Sequence, residues 1–575
     1  MRRYRWLWIA LLVLAGWLGM RMWAGASSPS IERGSTLVLR LGGRYIEAPS
    51  PSLLARALGQ DAHSFVALLS QLAKAERDAR IDTVVLRIEP LGIGWGKAQE
   101  LRRAIGRLRE AGHRTIAHLE LASFSVQREY FVATAADEIE VVPGGAFPLV
   151  GLAAEYVYLG GLWEKFGIDF EVAKAGRYKS AVETLAGKHM SDASREMANS
   201  LLDSTNYVFV QAIASARGLS EAEVRARIDE APTRPSELVE ARLADRVGHL
   251  DARLDEIGAP VVRGEEYAAV DPADVGFDPV AHFALVYGTG SVVTGEGSHE
   301  PGGEPVFASG AISDAIERAS KDDDIEAIVL RIDSPGGSAL ASELMYEAIA
   351  RARQQSGKPV VASFSDVAAS GGYYVASAAD AIVAPAPALT GSIGVFALRP
   401  VLGGLFEKLG IGTVGLTRGE HADFALVAPP LDEGARARLQ SIVSDTYALF
   451  LERVASGRSL DPEAVDAVGQ GRVWTSSQAL ERGLIDELGG LHEAVLVAKQ
   501  AAGLRAEDDV ALVTYPPPKG IAEQIADLLQ GRVAVGSALR PRLELPAPLD
   551  TLGHWMGGLP ARTPLLVPPM LVDIH

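Results

Sequence analysis

The chain has 575 residues, enough for two or more domains. Its composition, 48% hydrophobic and 22% charged, is that of a folded protein and excludes a largely disordered or collagen-like chain. A net charge of −18 argues against nucleic-acid partners, and the lack of cysteine excludes disulfides, iron–sulfur clusters, cysteine-held zinc and thiol catalysis.

The first element predicted is a membrane segment. Residues Trp6 to Met20 are uncharged and mostly apolar, and Arg2, Arg3 and Arg5 precede them. With Arg21 snorkelling to the interface, Trp6 to Ala26 is long enough to cross a bilayer core. Trp6, Trp8, Trp17 and Trp23 suit the two interfaces, and the arginines hold the extreme N-terminus in the cytoplasm. We therefore expect a signal anchor over residues 1–28, with the rest of the chain exported. The rival reading is a cleaved signal peptide, because Ala24-Gly25-Ala26 has the small-x-small form of a cleavage site.

The body of the chain is internally duplicated. IDTVVLRI at 81–88 matches IEAIVLRI at 325–332 in five of eight positions. YFVATAADEI at 130–139 matches YYVASAADAI at 373–382 in seven of ten. GGLWEKFGI at 160–168 matches GGLFEKLGI at 403–411 in seven of nine. The offsets are 244, 243 and 243, so two homologous halves are expected over 36–260 and 277–500. They would join near the polar stretch Arg263 to Asp278.

Each half reads as α/β. The runs TVVLRI and AIVLRI are almost continuously apolar, as in strands buried on both faces. Helical patterns follow at Gly96 to Glu110 and at Ala339 to Gln355, then strands at TIAHLEL (115–121) and PVVASFS (359–365). This alternation predicts a mostly parallel sheet with crossover helices in each half. The remaining 501–575 is a Pro-rich extension, with one amphipathic helix expected at about Gly520 to Leu529.

The halves differ where chemistry would sit. In the second half the AIVLRI strand runs into Asp333-Ser334-Pro335-Gly336-Gly337-Ser338, a turn with unobstructed N–H groups before a helix, suited to an oxyanion. The first half has Glu89-Pro90-Leu91-Gly92-Ile93-Gly94 there, without paired glycines. Ser370, in Ala369-Ser370-Gly371-Gly372, stands at a strand-to-helix turn among small neighbours, with the Gly371 N–H as a second oxyanion donor. Gln127, Arg128 and Glu129 take these places in the first half. Conversely, Lys179 of Gly176-Arg177-Tyr178-Lys179 aligns with Ala422. One half kept a serine and the other a lysine, as expected of a duplicated enzyme merged into one composite site.

SPGGS at 334–338, ASGGYYVASAAD at 369–380, TGSIGV at 390–395 and YKSAVE at 178–183 together resemble the long form of the signal peptide peptidase A family. The resemblance covers about residues 35–500 and implies two tandem crotonase/Clp-like domains with a Ser–Lys dyad. It assigns Ser370 as nucleophile, Lys179 as general base, Gly336 and Gly371 as oxyanion hole, and Ser392 as the residue holding the lysine amine. It also implies a homotetramer anchored in the bacterial inner membrane, its catalytic part on the periplasmic side, acting on remnant signal peptides. No cofactor, metal or nucleic-acid partner is implied.

The chemistry makes its own demands. A serine hydroxyl needs a base, and lysine serves only when burial lowers its free value of about 10.4. Glu183, one helical turn beyond Lys179, would keep the amine charged if it faced it. His421 offers an alternative base but has no triad signature around it. Gly92-x-Gly94-x-Gly96 superficially resembles a dinucleotide loop, yet Ile and Trp fill it. Two other functions share the fold: an acyl-CoA enzyme, disfavoured by export, and an inactive membrane scaffold, disfavoured by retention of Ser370 and Lys179.

Overall fold

The computed structural model describes residues 29–47, 62–297 and 305–517, and the backbone of Leu565–Leu566. The expected membrane segment at 1–28 and the expected helix at 520–529 lie outside these residues. Among the described residues no helix is long and apolar enough to cross a membrane.

The first half is built on a seven-stranded sheet. Along its main path the order is Ala62–Ser64, Ser35–Ile46, Ile81–Gly92, Arg114–Leu119, Glu138–Val141 and Arg246–Val247; Val261–Arg263 adds to Ser35–Ile46. All these pairings are parallel. Val84, Val85, Leu86 and Ile88 are wholly buried, as an uninterrupted apolar strand must be between two covered faces. Helices Phe65–Arg77, Trp95–Glu110, Gln127–Ala133 and Asp192–Arg217 pack on one face, and Leu250–Ile257 covers Val38, Val85 and Ile116 on the other.

The second half repeats this plan with eight strands. Ile325–Ser334 lies between Ala281–Thr289 and Val360–Ala369, in parallel register with both. The sheet does not stop at residue 500, where the sequence pattern fades. Val510–Tyr515 pairs in parallel with Ala281–Thr289 over six positions. The strand was obscured because its VALVTY run sits directly against Pro516 and Pro517, which read as a break.

A third sheet stitches the halves together. Its order is Phe307–Ala308, Val292–Val293, Gly337–Ser338, Leu565–Leu566, Val395–Val401 and Asp169–Ala175. Asp169–Ala175 of the first half runs antiparallel to Val395–Val401 of the second across seven residue pairs. Leu565–Leu566 is antiparallel to both of its neighbours, pairing with Gly337, Ser338 and Phe396.

Around the helix Trp95–Glu110 the seam is polar. Helix Trp95–Glu110 has no side-chain cap of its own. The carboxylate of Asp366 in the other half accepts from Gly94 N at 3.0 Å and from Lys97 N at 2.8 Å, capping it from outside. The Lys97 ammonium pairs with Asp333 at 2.5 Å, Asp366 at 2.7 Å and Glu47 at 3.2 Å. Arg331, wholly buried, pairs with Glu47 and Glu100. Gly94 and Gly96 belong to this contact: a Cβ on Gly96 would stand 2.2 Å from Ser365 O. Gly96 thus admits the other half's backbone and Gly94 the Asp366 carboxylate, a packing role for the two glycines.

Candidate active site

Ser370 follows the strand Val360–Ala369 and precedes the short helix Gly371–Ala376. Its backbone is left-handed, with φ 55° and ψ −113°. That conformation costs a non-glycine residue free energy, and it turns the side chain out of the strand's line. The Ser370 N–H donates to Gly391 O at 2.8 Å, and the Tyr374 N–H donates to Ser370 O at 2.8 Å, so both sides of the bend are fixed.

Lys179 arrives from the other half, after the strand Asp169–Ala175. Its Nζ lies 2.8 Å from Ser370 Oγ, 2.9 Å from Ser392 O and 3.0 Å from Ser392 Oγ. Lys179, Ser370 and Ser392 are all wholly buried. Burial pushes the Lys179 ammonium well below the ordinary lysine range, and no neighbouring charge opposes it. A neutral amine, with two N–H donors and one lone pair, fits these three contacts: donors to the two Ser392 oxygens and the lone pair toward the Ser370 hydroxyl.

Glu183 does not face the lysine. Its carboxylate accepts from Ser191 N at 3.2 Å, Ser191 Oγ at 2.8 Å and Ser194 Oγ at 2.6 Å, at the start of helix Asp192–Arg217. His421 sits before the 3-10 turn Ala422–Ala425, its ring beside Gly434, and takes no part in this cluster.

The glycine loop borders the turn at Ser370. A Cβ on Gly371 would stand 3.1 Å from Gly337 N, 3.2 Å from Gly336 Cα and 2.7 Å from Ser342 Oγ, so Gly371 has no room for a side chain. The Gly336 N–H donates to Ser334 Oγ at 3.2 Å.

In the first half the corresponding loop is filled by the protein itself. The buried Glu129 carboxylate accepts from Leu91 N at 2.8 Å, and Arg128 donates to Ile93 O at 2.8 Å. Burial raises the Glu129 carboxyl. The anion-binding turn survives there, occupied by an internal side chain.

One part of the cluster gave no signal in the repeats. The turn Gly469-Gln470-Gly471-Arg472 lies against both Lys179 and Ser392, with Tyr178 N donating to Gln470 O and Ser392 N to Arg472 O, each at 2.7 Å. Among the described residues, no group of three or more His, Asp or Glu side chains is arranged to hold a metal ion.

Comparison with known proteins gives the class first: the protein is a serine peptidase. Residues 109–259 and 352–505 match peptidase family S49, together more than half the chain, and the protein belongs to that family. Lys179, Ser370 and Ser392 fall inside the matched segments; Gly336 and Gly337 fall between them. It is 33% identical to the chloroplastic serine protease SPPA of Arabidopsis thaliana, over 88% of this chain and 74% of that one. It is 28% identical to Protease 4 of Salmonella typhi, over 94% and 90% of the two chains. A solved mutant of the membrane-bound stomatin-specific protease 1510-N has 16% identity and a TM-score of 0.26, covering 42% of this chain and 100% of its own.

Proposed function

We propose that the chain, two halves descended from one duplicated unit, is a membrane-anchored endopeptidase that degrades apolar peptides, remnant signal peptides foremost. In this reading Ser370 is the nucleophile, Lys179 the general base, Ser392 the residue orienting the lysine, and the amides of Gly336 and Gly371 the oxyanion hole. The observation that carries it is the buried Nζ–Oγ contact of 2.8 Å, at a lysine whose ammonium form burial disfavours.

The steps follow from those positions. Lys179 Nζ takes the Ser370 hydroxyl proton as Oγ attacks the scissile carbonyl carbon. The carbonyl oxygen becomes an oxyanion facing the two amides, each worth ~3 kcal/mol of barrier. The C–N bond then breaks, and the Lys179 ammonium returns its proton to the leaving amine. Water, deprotonated by the same lysine, attacks the acyl ester and frees Ser370.

A substrate would enter as a β-strand. Gly337–Ser338 and Val395–Val401 are separated by one strand's width, and the chain's own Leu565–Leu566 pairs with both. An apolar dipeptide beside the oxyanion loop supports apolar peptides as the substrate class. The name Putative signal peptide peptidase SppA, given to an Enterococcus faecium relative 31% identical over 200 residues, supports signal peptides in particular. Anchoring by residues 1–28, an extracytoplasmic site and a homotetramer complete the proposal. They rest on the N-terminal sequence and on the family resemblance.

The test is cleavage of a fluorogenic apolar peptide in mild detergent by the full chain. Ser370→Ala and Lys179→Ala are both expected to lose at least 1,000-fold in kcat/KM while folding as wild type does. Full activity in Lys179→Ala would overturn the assignment of the base. A peptide-library profile dominated by charged side chains at the cleaved bond would overturn the substrate class.

A further inference from the structure

The base must be placed to within a fraction of an ångström, yet it reaches the nucleophile from the other half of the chain. Strand pairing of Asp169–Ala175 with Val395–Val401 brings it close, but ends four residues before Lys179. What seats those last residues is the turn Gly469–Arg472.

Its contacts are dense and nearly all with backbone. Gln470 O accepts from Tyr178 N at 2.7 Å, and Gln470 Oε1 accepts from Arg177 N at 3.3 Å. The Gly471 N–H donates to Ile393 O at 2.7 Å, and Arg472 O accepts from Ser392 N at 2.7 Å. A Cβ on Gly471 would stand 2.6 Å from both Lys179 N and Lys179 Cβ. The Arg472 guanidinium lies between the rings of Tyr178 and Trp474, 4.7 and 4.4 Å from their centroids. It is also tied to Glu196 at 2.6 Å, the carboxylate that accepts from Tyr178 OH at 3.0 Å.

The first half offers a contrast. Residues 219–250 align without a gap with 460–491, which sets Glu230 opposite Gly471 and Ala231 opposite Arg472. The turn there has one positive-φ residue, Ala231, where the second half has two in succession, Gln470 and Gly471. The glycine thus stands in the half that seats the lysine, where the close approach of Lys179 excludes a side chain.

We propose that Gly471 and Arg472 are positioning residues of the active site, fixing where Lys179 Nζ stands relative to Ser370 Oγ and Ser392. Gly471 admits the lysine's backbone, and Arg472 clamps the preceding Tyr178 while its carbonyl holds Ser392. Neither touches substrate. The inference rests on Lys179 being the base.

The experiment compares full-length wild type with Gly471→Ala, Arg472→Met and Lys179→Ala on the fluorogenic peptide, from pH 5.5 to 10. Arg472→Met keeps the glycine, so the proposal is still tested if Gly471→Ala does not fold. We expect kcat to fall at least tenfold at pH 7 with KM within twofold. The acid limb of kcat/KM should move to higher pH by half a unit or more, because a displaced amine is hydrated and holds its proton longer. Arg472→Met, which leaves the glycine intact, should show the same shift at smaller amplitude. A merely structural turn would lower the melting temperature and leave the pH profile of the folded enzyme unchanged, which overturns the proposal. Activity retained by Lys179→Ala would instead remove its premise.

Discussion

Lys179, the proposed base, also bears on stability. Burial disfavours its ammonium in the folded chain, so unfolding takes up protons below the free lysine value. The contribution of Lys179 to stability is therefore full above the free lysine value of about 10.4 and is lost as pH falls toward the lowered folded value. Lys179→Met should consequently be inactive yet melt at a higher temperature than wild type at pH 7. That difference should shrink as pH approaches 10, which calorimetry across this range would check. Lys179→Arg should be inactive at every pH, because a guanidinium is never a neutral base. Ser370 and Ser392 are strained at the same place, with φ of 55° and 53°. Replacing either by glycine separates backbone strain from hydroxyl chemistry: stability should rise or hold while kcat collapses.

Among the elements, the helix Trp95–Glu110 joins the halves through charge. Its N-terminus is capped by Asp366, and its Lys97 lies between Asp333, three residues before Gly336, and Asp366, four residues before Ser370. Removing one partner of a buried ion pair costs about 3–5 kcal/mol, because the other charge stays buried. Lys97→Met is thus expected to lower the denaturant midpoint by an amount corresponding to that range, while Arg103→Met, at a half-exposed pair with Glu493, should be nearly neutral.

How much of this was legible in the sequence follows from range. The strands at 81–92 and 325–334 and the helices after them announce themselves through apolar runs, since burial on both faces is a local constraint. The serine and lysine were legible because duplication provides each with a counterpart that lacks it. Asp366 as a cap and the turn at 469–472 were not. Each owes its role to a partner distant in sequence, and nothing in the run of residues GQGR distinguishes a seat for a lysine from an ordinary turn. The strand Val510–Tyr515 was hidden for a simpler reason, the prolines that follow it.

On the scale of the whole molecule, two surfaces bear on behaviour in solution. Leu409, Ile411, Val414 and Leu416 are exposed apolar side chains on one stretch, Val414 at 89% and Leu416 at 84%. Such a stretch is costly to leave in water and suits contact between copies. Light scattering in detergent is expected to give a protein mass of four times 60.9 kDa, and Val414→Asp with Leu416→Asp to lower it. The second surface is the gap holding Leu565–Leu566. In the proposed mode of entry, a strand paired there would compete with a peptide for the same edges. Ending the chain at residue 560 should lower KM for a short apolar peptide at least twofold with kcat unchanged, measured by initial rates.

The separation of base and nucleophile along the chain also has a consequence in time. Lys179 and Ser370 are 191 residues apart, and Ser392 and the 469–472 turn come later still. In the proposed assignment a ribosome delivers the base long before the nucleophile, and both before the residues beside them at 392 and 469–472. A chain stopped short of residue 370 would then hold half of a dyad, and order of synthesis would do for this protein what a removable inhibitory segment does in other proteases.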